Sequence, residues 1–222
     1  MGKIIAIGGG RYDDGEIRNI LEYIASCAKK DNPSVLFLPT AGFDDIEGDE
    51  HIRDIFLGCG CSFDYLFLTD KTLTKDSIRN KILSADVIYV GGGNVEFMIN
   101  TWNETGASDA LREAYEKGII MSGYSAGAVC WFNEGYDDCG PDRSFIFCDC
   151  LGILPYSACP HFEGNGWYNF KDEIKSRPMS GIGIENGAAL IFEDGKFSTM
   201  HGNDVGYVWH FNKNKNYEGA TL

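Results

Sequence analysis

Apolar and polar positions along this chain follow two periods in turn, and the switches between them mark its elements. Lys3 to Ile7 predicts a first strand, closed by Gly8-Gly9-Gly10. Ile17, Ile20, Leu21, Ile24 and Ala28 then recur at helical spacing until Asp31-Asn32-Pro33 breaks the pattern. Val35 to Leu38 reads as a second strand, Asp49 to Leu57 as helix, Asp64 to Leu68 as strand and Ser77 to Leu83 as helix. Val87-Ile88-Tyr89-Val90 is a continuous apolar run of the kind buried on both faces. Gly91-Gly92-Gly93-Asn94 leads from it into a helix carrying Val95, Phe97, Met98 and Ile99, and a further helix spans Gly106 to Lys117. Strands alternating with helices in this way predict an α/β fold, with a parallel sheet covered on both faces.

The second half is less regular. From Glu134 to Pro160 no period is sustained, and this stretch reads as irregular. A helix is predicted around Tyr168 to Lys175. Strands follow at Ala188 to Phe192 and Phe197 to Met200, joined by a hairpin turn at Glu193-Asp194-Gly195-Lys196, and a last strand runs from Val205 to Phe211. The tail from Asn212 is polar and expected to be loose. With neither linker nor repeat, residues 1–222 read as one domain.

One junction carries chemistry. Ile119 to Ser122 is a short apolar strand, Gly123-Tyr124-Ser125-Ala126-Gly127 a turn of small residues around a serine, and Ala128 to Phe132 an apolar helical segment. This is G-x-S-x-G in the strand–turn–helix setting of a nucleophile elbow. Such a turn lifts the serine hydroxyl out of the sheet, and the new helix offers unpaired N–H groups to a developing oxyanion. The competing reading is a serine that merely caps a helix. Ligands of parallel sheets bind beyond the carboxyl ends of the strands, so Gly91–Asn94 and Ser125 are expected to face one crevice.

Charge narrows the partners. The formal net charge is -14, which argues against nucleic acid or an anionic membrane surface. No apolar run is long enough to span a membrane, and the first residues enter a strand without the apolar core of a signal peptide, so a cytoplasmic chain is expected. The eight cysteines then read as reduced and mostly structural. Cys148, Cys150, Cys159 and His161 could be weighed as a zinc site, but their spacings are not those of a zinc knuckle, and no metal is expected. The first glycine run lacks the third glycine of a dinucleotide fingerprint, since Asp13 stands there.

A serine nucleophile needs a base, and the base needs an orienting group. Of the four histidines, His51 lies in a charged helix, His210 near the tail, and His201 in a turn. His161, in a loop after the elbow between Pro160 and Phe162, is the best base. Glu185, at the end of the apolar segment Ile182-Gly183-Ile184, is the preferred acid, with Asp204 in reserve; Glu163 is too near His161 in sequence to be an obvious choice.

Gly91-Gly-Gly-Asn94, Gly123-Tyr-Ser-Ala-Gly127, Cys159-Pro-His161 and Gly183-Ile-Glu185-Asn186 together resemble the dipeptidase E (aspartyl dipeptidase) family of serine peptidases, to which cyanophycinase is related. The resemblance runs from the first strand to about residue 192. It implies a three-layer, flavodoxin-like parallel sheet similar to class I glutamine amidotransferases, with serine in place of their cysteine. Carried onto this sequence, it makes Ser125 the nucleophile, His161 the base and Glu185 the acid. It makes Gly92 and Ala126 the oxyanion donors, and it puts Gly93 and Asn94 at the substrate, Asn94 near its amino end. No cofactor is implied. Aspartyl dipeptidases place an arginine after the Pro-His segment to pair with the substrate's aspartate, but Glu163 to Phe170 contains none. Lys171 and Arg177 are the nearby replacements, and a lysine is not the equal of a bidentate arginine.

The expected activity is therefore hydrolysis of small peptides by a Ser-His-Glu exopeptidase, with no nucleic-acid or membrane partner and a homodimer left open. The alternatives are an esterase or amidase on the same triad, and a catalytically silent relative that binds a small ligand in the crevice.

Overall fold

The computed structural model describes residues 2–12, 15–164, 166–202 and 206–222. Its first layer grows from the apolar runs. Strands β1 (Ile4–Ile7), β2 (Ser34–Leu38), β3 (Ser62–Tyr65), β4 (Val87–Val90) and β5 (Ile120–Tyr124) pair in parallel in the order β1-β5-β4-β2-β3. All residues of β1 and β4 are buried, as expected of strands covered on both faces. Helices α1 (Arg18–Cys27), α2 (Glu50–Gly58), α3 (Lys75–Ser84), α4 (Val95–Thr105) and α5 (Ala107–Glu116) connect them. The side chains of α1 that face inward, Ile20, Leu21 and Ile24, are those of the predicted helical face. Helix α3 starts at a capping box in which Thr74 and Ser77 satisfy each other's backbone N–H groups, and α4 starts where the Asn94 side chain accepts from the Phe97 N–H at 2.8 Å.

The α/β class holds, but the sheet is not wholly parallel. After β5 comes a single helical turn, α6 (Ala126–Val129), shorter than predicted because the chain turns at Phe132 into a second sheet. Strands β6 (Phe132–Asp137), β7 (Ile146–Asp149) and β8 (Leu154–Cys159) occupy the stretch that read as irregular. They are followed by α7 (Phe170–Glu173), flanked by 3-10 turns, and by β9 (Gly181–Ile184). The hairpin β10 (Ala188–Glu193) and β11 (Lys196–His201) returns to the first sheet, with β10 antiparallel to β1. Strands β12 (Val208–Asn212) and β13 (Glu218–Thr221) complete the second sheet, in the order β13-β12-β9-β8-β6-β7. The tail is thus paired rather than loose. Its residues are all exposed and leave no apolar pattern, so only backbone pairing to β12 orders them.

A single apolar cluster joins the two sheets, with Ile4, Ala6 and Leu190 on one side and Trp131, Leu154 and Ile182 on the other. A smaller, aromatic cluster of Tyr136, Phe162, Phe170, Ile174 and Phe211 lies within the second sheet. Among the described residues, no helix is long and apolar enough to cross a membrane.

Candidate active site

Ser125 leaves the end of β5 with φ 56° and ψ -115°, a left-handed conformation that is strained for a residue with a side chain. The flanking glycines make the turn fit. A Cβ on Gly123 would lie 2.2 Å from the Gly127 carbonyl oxygen, and one on Gly127 would lie 2.2 Å from that of Val90. The serine hydroxyl is thereby held at the carboxyl edge of the sheet, and the Ser125 N–H is tied to the Ile7 carbonyl of β1 at 3.0 Å.

The second sheet brings the base to it. His161 follows the end of β8, also at positive φ (49°), with its N–H donated to the Gly8 carbonyl at 3.0 Å. Its Nε2 lies 2.8 Å from Ser125 Oγ. On the other side of the ring, Nδ1 lies 2.7 Å from Asn186 Oδ1, in the turn between β9 and β10. An amide oxygen only accepts, so Nδ1 carries the proton and Nε2 is left to accept the serine's. Asn186 Nδ2 donates in turn to Glu163 Oε1. Burial, with Glu185 nearby, raises the Glu163 carboxyl above its ordinary range. The Trp167 ring lies 5.2 Å from the imidazole, and Tyr124 meets it edge-on at 6.2 Å.

Two expectations are corrected here. Glu185 does not face His161: its oxygens accept from the Tyr207 N–H at 2.9 Å and from Trp209 Nε1 at 2.7 Å. The chain turns immediately after β9, so Glu185 meets β12 while its neighbour Asn186 meets the imidazole, the reverse of the sequence reading. Glu163, set aside as too close in sequence, is the carboxylate that reaches the histidine's line of hydrogen bonds. Asp204 falls outside the described residues. Gly9, read only as part of a turn, is what lets the histidine pass over the end of β1. A Cβ there would lie 1.8 Å from Asn186 Oδ1 and 2.3 Å from His161 Nδ1. A glycine run at the carboxyl end of a strand was the available signal for it.

Gly92 approaches the nucleophile closely, since a Cβ on it would lie 3.3 Å from that of Ser125. Among the described residues its N–H donates to no backbone carbonyl, and Ala126 opens α6, where an N–H has no partner within the helix. Gly93 and Asn94 line the same cleft, though the Asn94 side-chain oxygen is engaged in capping α4. His51 is exposed on α2, His201 lies on β11 and His210 on β12; none of them lines the cleft.

The cleft has a volume of about 700 Å³. Its far wall is the end of β6 and the segment after it, which contribute Asp137, Asp138, Cys139, Gly140 and Arg143. Burial raises the Asp137 carboxyl to about 8. Arg143 is the lining cation, paired with Asp138 at 2.6 Å, against the three acids Asp137, Asp138 and Glu163. The two proposed replacements for the missing arginine are elsewhere. Arg177 pairs with the buried Glu134, and Lys171 sits over the Tyr168 ring at 3.8 Å. Among the described residues, no group of three or more His, Cys, Asp or Glu is placed to hold a metal ion.

A serine, a histidine at hydrogen-bond distance and an oriented imidazole are the parts of a serine hydrolase. The family model of peptidase family S51 matches residues 4–200. This chain belongs to peptidase family S51. It is a serine-type peptidase of the Peptidase E kind, as the dipeptidase E resemblance implied. Over 206 residues, the S51 chain is 35% identical to the uncharacterized peptidase YgaJ of Bacillus subtilis (strain 168), spanning 90% of this chain and 87% of that one. It is 25% identical over 218 residues to a Peptidase E of Nostoc sp. (strain PCC 7120), covering 92% and 84% of the two chains. Its fold is similar to that of a peptidase from an acI-B1 Actinobacterium, with a TM-score of 0.75 at 18% identity over all of this chain and 94% of the other.

Proposed function

We propose that this S51 peptidase is an exopeptidase of small peptides, working through Ser125, His161 and Asn186, with Glu163 fixing Asn186. The observation that carries this reading is the unbroken line of hydrogen bonds from Ser125 Oγ through the imidazole and the Asn186 amide to Glu163. His161 Nε2 takes the hydroxyl proton as Oγ attacks the scissile carbonyl. The N–H groups of Gly92 and Ala126 receive the oxyanion. The imidazolium gives its proton to the leaving amine, and water then releases the acyl group by the same steps in reverse order. A neutral asparagine holds the tautomer without balancing the imidazolium charge, as in the Cys-His-Asn arrangement of papain-like enzymes.

A cleft of about 700 Å³ is the right size for a short peptide. The first sheet supports the flavodoxin-like, amidotransferase-like reading: β3-β2-β4-β5 has the flavodoxin order, with β1 in the fifth place. In this reading the chain acts as one domain, in the cytoplasm, on a peptide substrate without cofactor, nucleic acid or membrane.

The test is hydrolysis of a dipeptide panel with Asp-X, Glu-X and neutral members by wild type and Ser125→Ala. Cleavage of neutral dipeptides at rates equal to or above Asp-X is expected, since three acids and one paired arginine line the cleft. Cleavage confined to Asp-X would return the substrate class to that of aspartyl dipeptidases, with the cleft-lining Arg143 as the cation that receives the side chain. Equal turnover by Ser125→Ala would refute the mechanism.

A further inference from the structure

The far wall of the cleft holds two thiols that the peptidase reading does not use. Cys139 lies two residues beyond β6 and lines the cleft; Cys148, on β7, is buried directly behind it, with the two sulfurs 3.2 Å apart. Both cysteines are free. Between them the chain makes the loop that carries Gly140 and Arg143, also cleft residues. Buried thiols packed only as small apolar groups have no need to face one another, and these two do, at the edge of a substrate cleft.

We propose that Cys139 and Cys148 are a dithiol modification site, in which Cys139 is thiolated by a low-molecular-weight disulfide and Cys148 resolves the adduct to an internal disulfide. The environment favours Cys139 as the attacking group. Cys139 opens on the cleft whereas Cys148 is buried, and the hydrogen bond between the two sulfurs, with the Glu96 N–H at the start of α4, holds the Cys139 thiol down although burial opposes this. The same contact pushes the Cys148 thiol up. Thiolates at helix starts are the reactive ones.

The chemistry balances in two exchanges. The Cys139 thiolate attacks one sulfur of the small disulfide RSSR, forming Cys139–S–S–R and expelling RS⁻. Cys148 gives its proton to solvent and attacks the Cys139 sulfur, expelling the second RS⁻. Two protein thiols are oxidised by two electrons, and one small disulfide is reduced to two thiols. Closing the protein disulfide requires the sulfurs to approach by only about 1 Å. The consequence concerns the cleft. A group left on Cys139 would occupy the space before Ser125, whereas the internal disulfide lies in the wall and leaves that space open.

The experiment uses oxidised glutathione on the whole chain, with peptide mapping by mass spectrometry and labelling of Ser125 by a fluorophosphonate. In wild type a Cys139–Cys148 cross-link is expected, with labelling within about threefold of the reduced protein and fully restored by reductant. The Cys148→Ser variant, altered outside the cleft, should instead accumulate one glutathione on Cys139 and label at least about tenfold more slowly. Exposed Cys59 is the internal control for ordinary surface thiolation. Glutathione found on Cys59 alone, or a cross-link joining Cys148 to Cys150 instead, would overturn the proposal, as would unchanged labelling of thiolated Cys148→Ser. Because the cross-link is read by mass, it is decided independently of the catalytic reading. A reduced wild type that never labels at Ser125 would count against the peptidase mechanism and leave the thiol assignment to the mapping.

Discussion

The two sheets meet at one cleft but contribute to it in different ways. The first sheet has a centre of buried apolar strands, β1, β4 and β5, and it places Ser125 and the Gly92 and Ala126 N–H groups at the carboxyl ends of β4 and β5. The second is built around aromatic side chains and carries wholly or partly exposed strands such as β7 and β13. It supplies His161 and, through the turn after β9, Asn186. Ser125 is therefore set by local geometry, a strained residue between two glycines that tolerate no side chain. His161 is set by tertiary geometry, since its ring is placed only where the second sheet crosses the end of β1. The difference teaches that a hydrogen-bonded serine–histidine pair can be half local and half assembled, and each half should fail in its own way.

The largest effect is expected at the local half. Ser125→Ala should lower peptide turnover by at least about 10⁴-fold while leaving the circular dichroism spectrum and the melting temperature unchanged. A drop in melting temperature that accounts for the lost activity would show that the serine is structural. Next comes the assembled half. Asn186→Ala frees the imidazole, and Gly9→Ala pushes a methyl group into Asn186 Oδ1 and His161 Nδ1, so each should cost on the order of 10²-fold in kcat with a smaller change in KM. Glu185→Gln should leave kcat within a few-fold, because Glu185 faces Tyr207 and Trp209. A loss there as large as that of Asn186→Ala would restore Glu185 as the orienting acid.

Smaller effects separate support from chemistry on the second-sheet side. The Arg177 guanidinium meets Glu134, whose carboxylate is buried and also accepts from the Ser157 hydroxyl at 2.8 Å. Arg177→Ala leaves that carboxylate undersatisfied and should cost about 2 kcal/mol in urea denaturation. KM for any cleaved dipeptide should stay unchanged, and a rise in KM at constant stability would make Arg177 a substrate residue instead.

The smallest effect is on Asp137. Burial raises its carboxyl from 3.8 to about 8, so between these values the folded chain holds a proton that the unfolded chain has released. This group's contribution to stability is fully present below about pH 4 and falls as pH rises to about 8. Asp137→Asn removes that slope. Its melting temperature relative to wild type should rise between about pH 5 and about pH 8, and a pH-independent difference would argue that Asp137 is ionised throughout.

Much of the first sheet was legible because β1, β2 and β4 are apolar runs and α1 keeps a clean 3.6-residue period. The second sheet was not. Strands β6 to β8 contain Asn, Glu, Gly, Asp and Cys among their apolar residues, and their identity depends on which neighbours they pair with. The tail strand β13 has no buried residue at all, so nothing in its pattern distinguishes it from coil.

By itself, the sequence singled out Ser125, the glycine runs, His161 and the family, because each of these rests on residues adjacent in the chain. Steric demands between neighbours act within a few bonds and leave a readable signature. Only the tertiary structure decided that Asn186 rather than Glu185 orients the histidine, that Glu163 stands behind it, that Gly9 clears its path and that Arg143 lines the cleft. Those choices depend on which side of a strand end faces which sheet. A shift of one residue along an extended chain reverses that side without changing the composition.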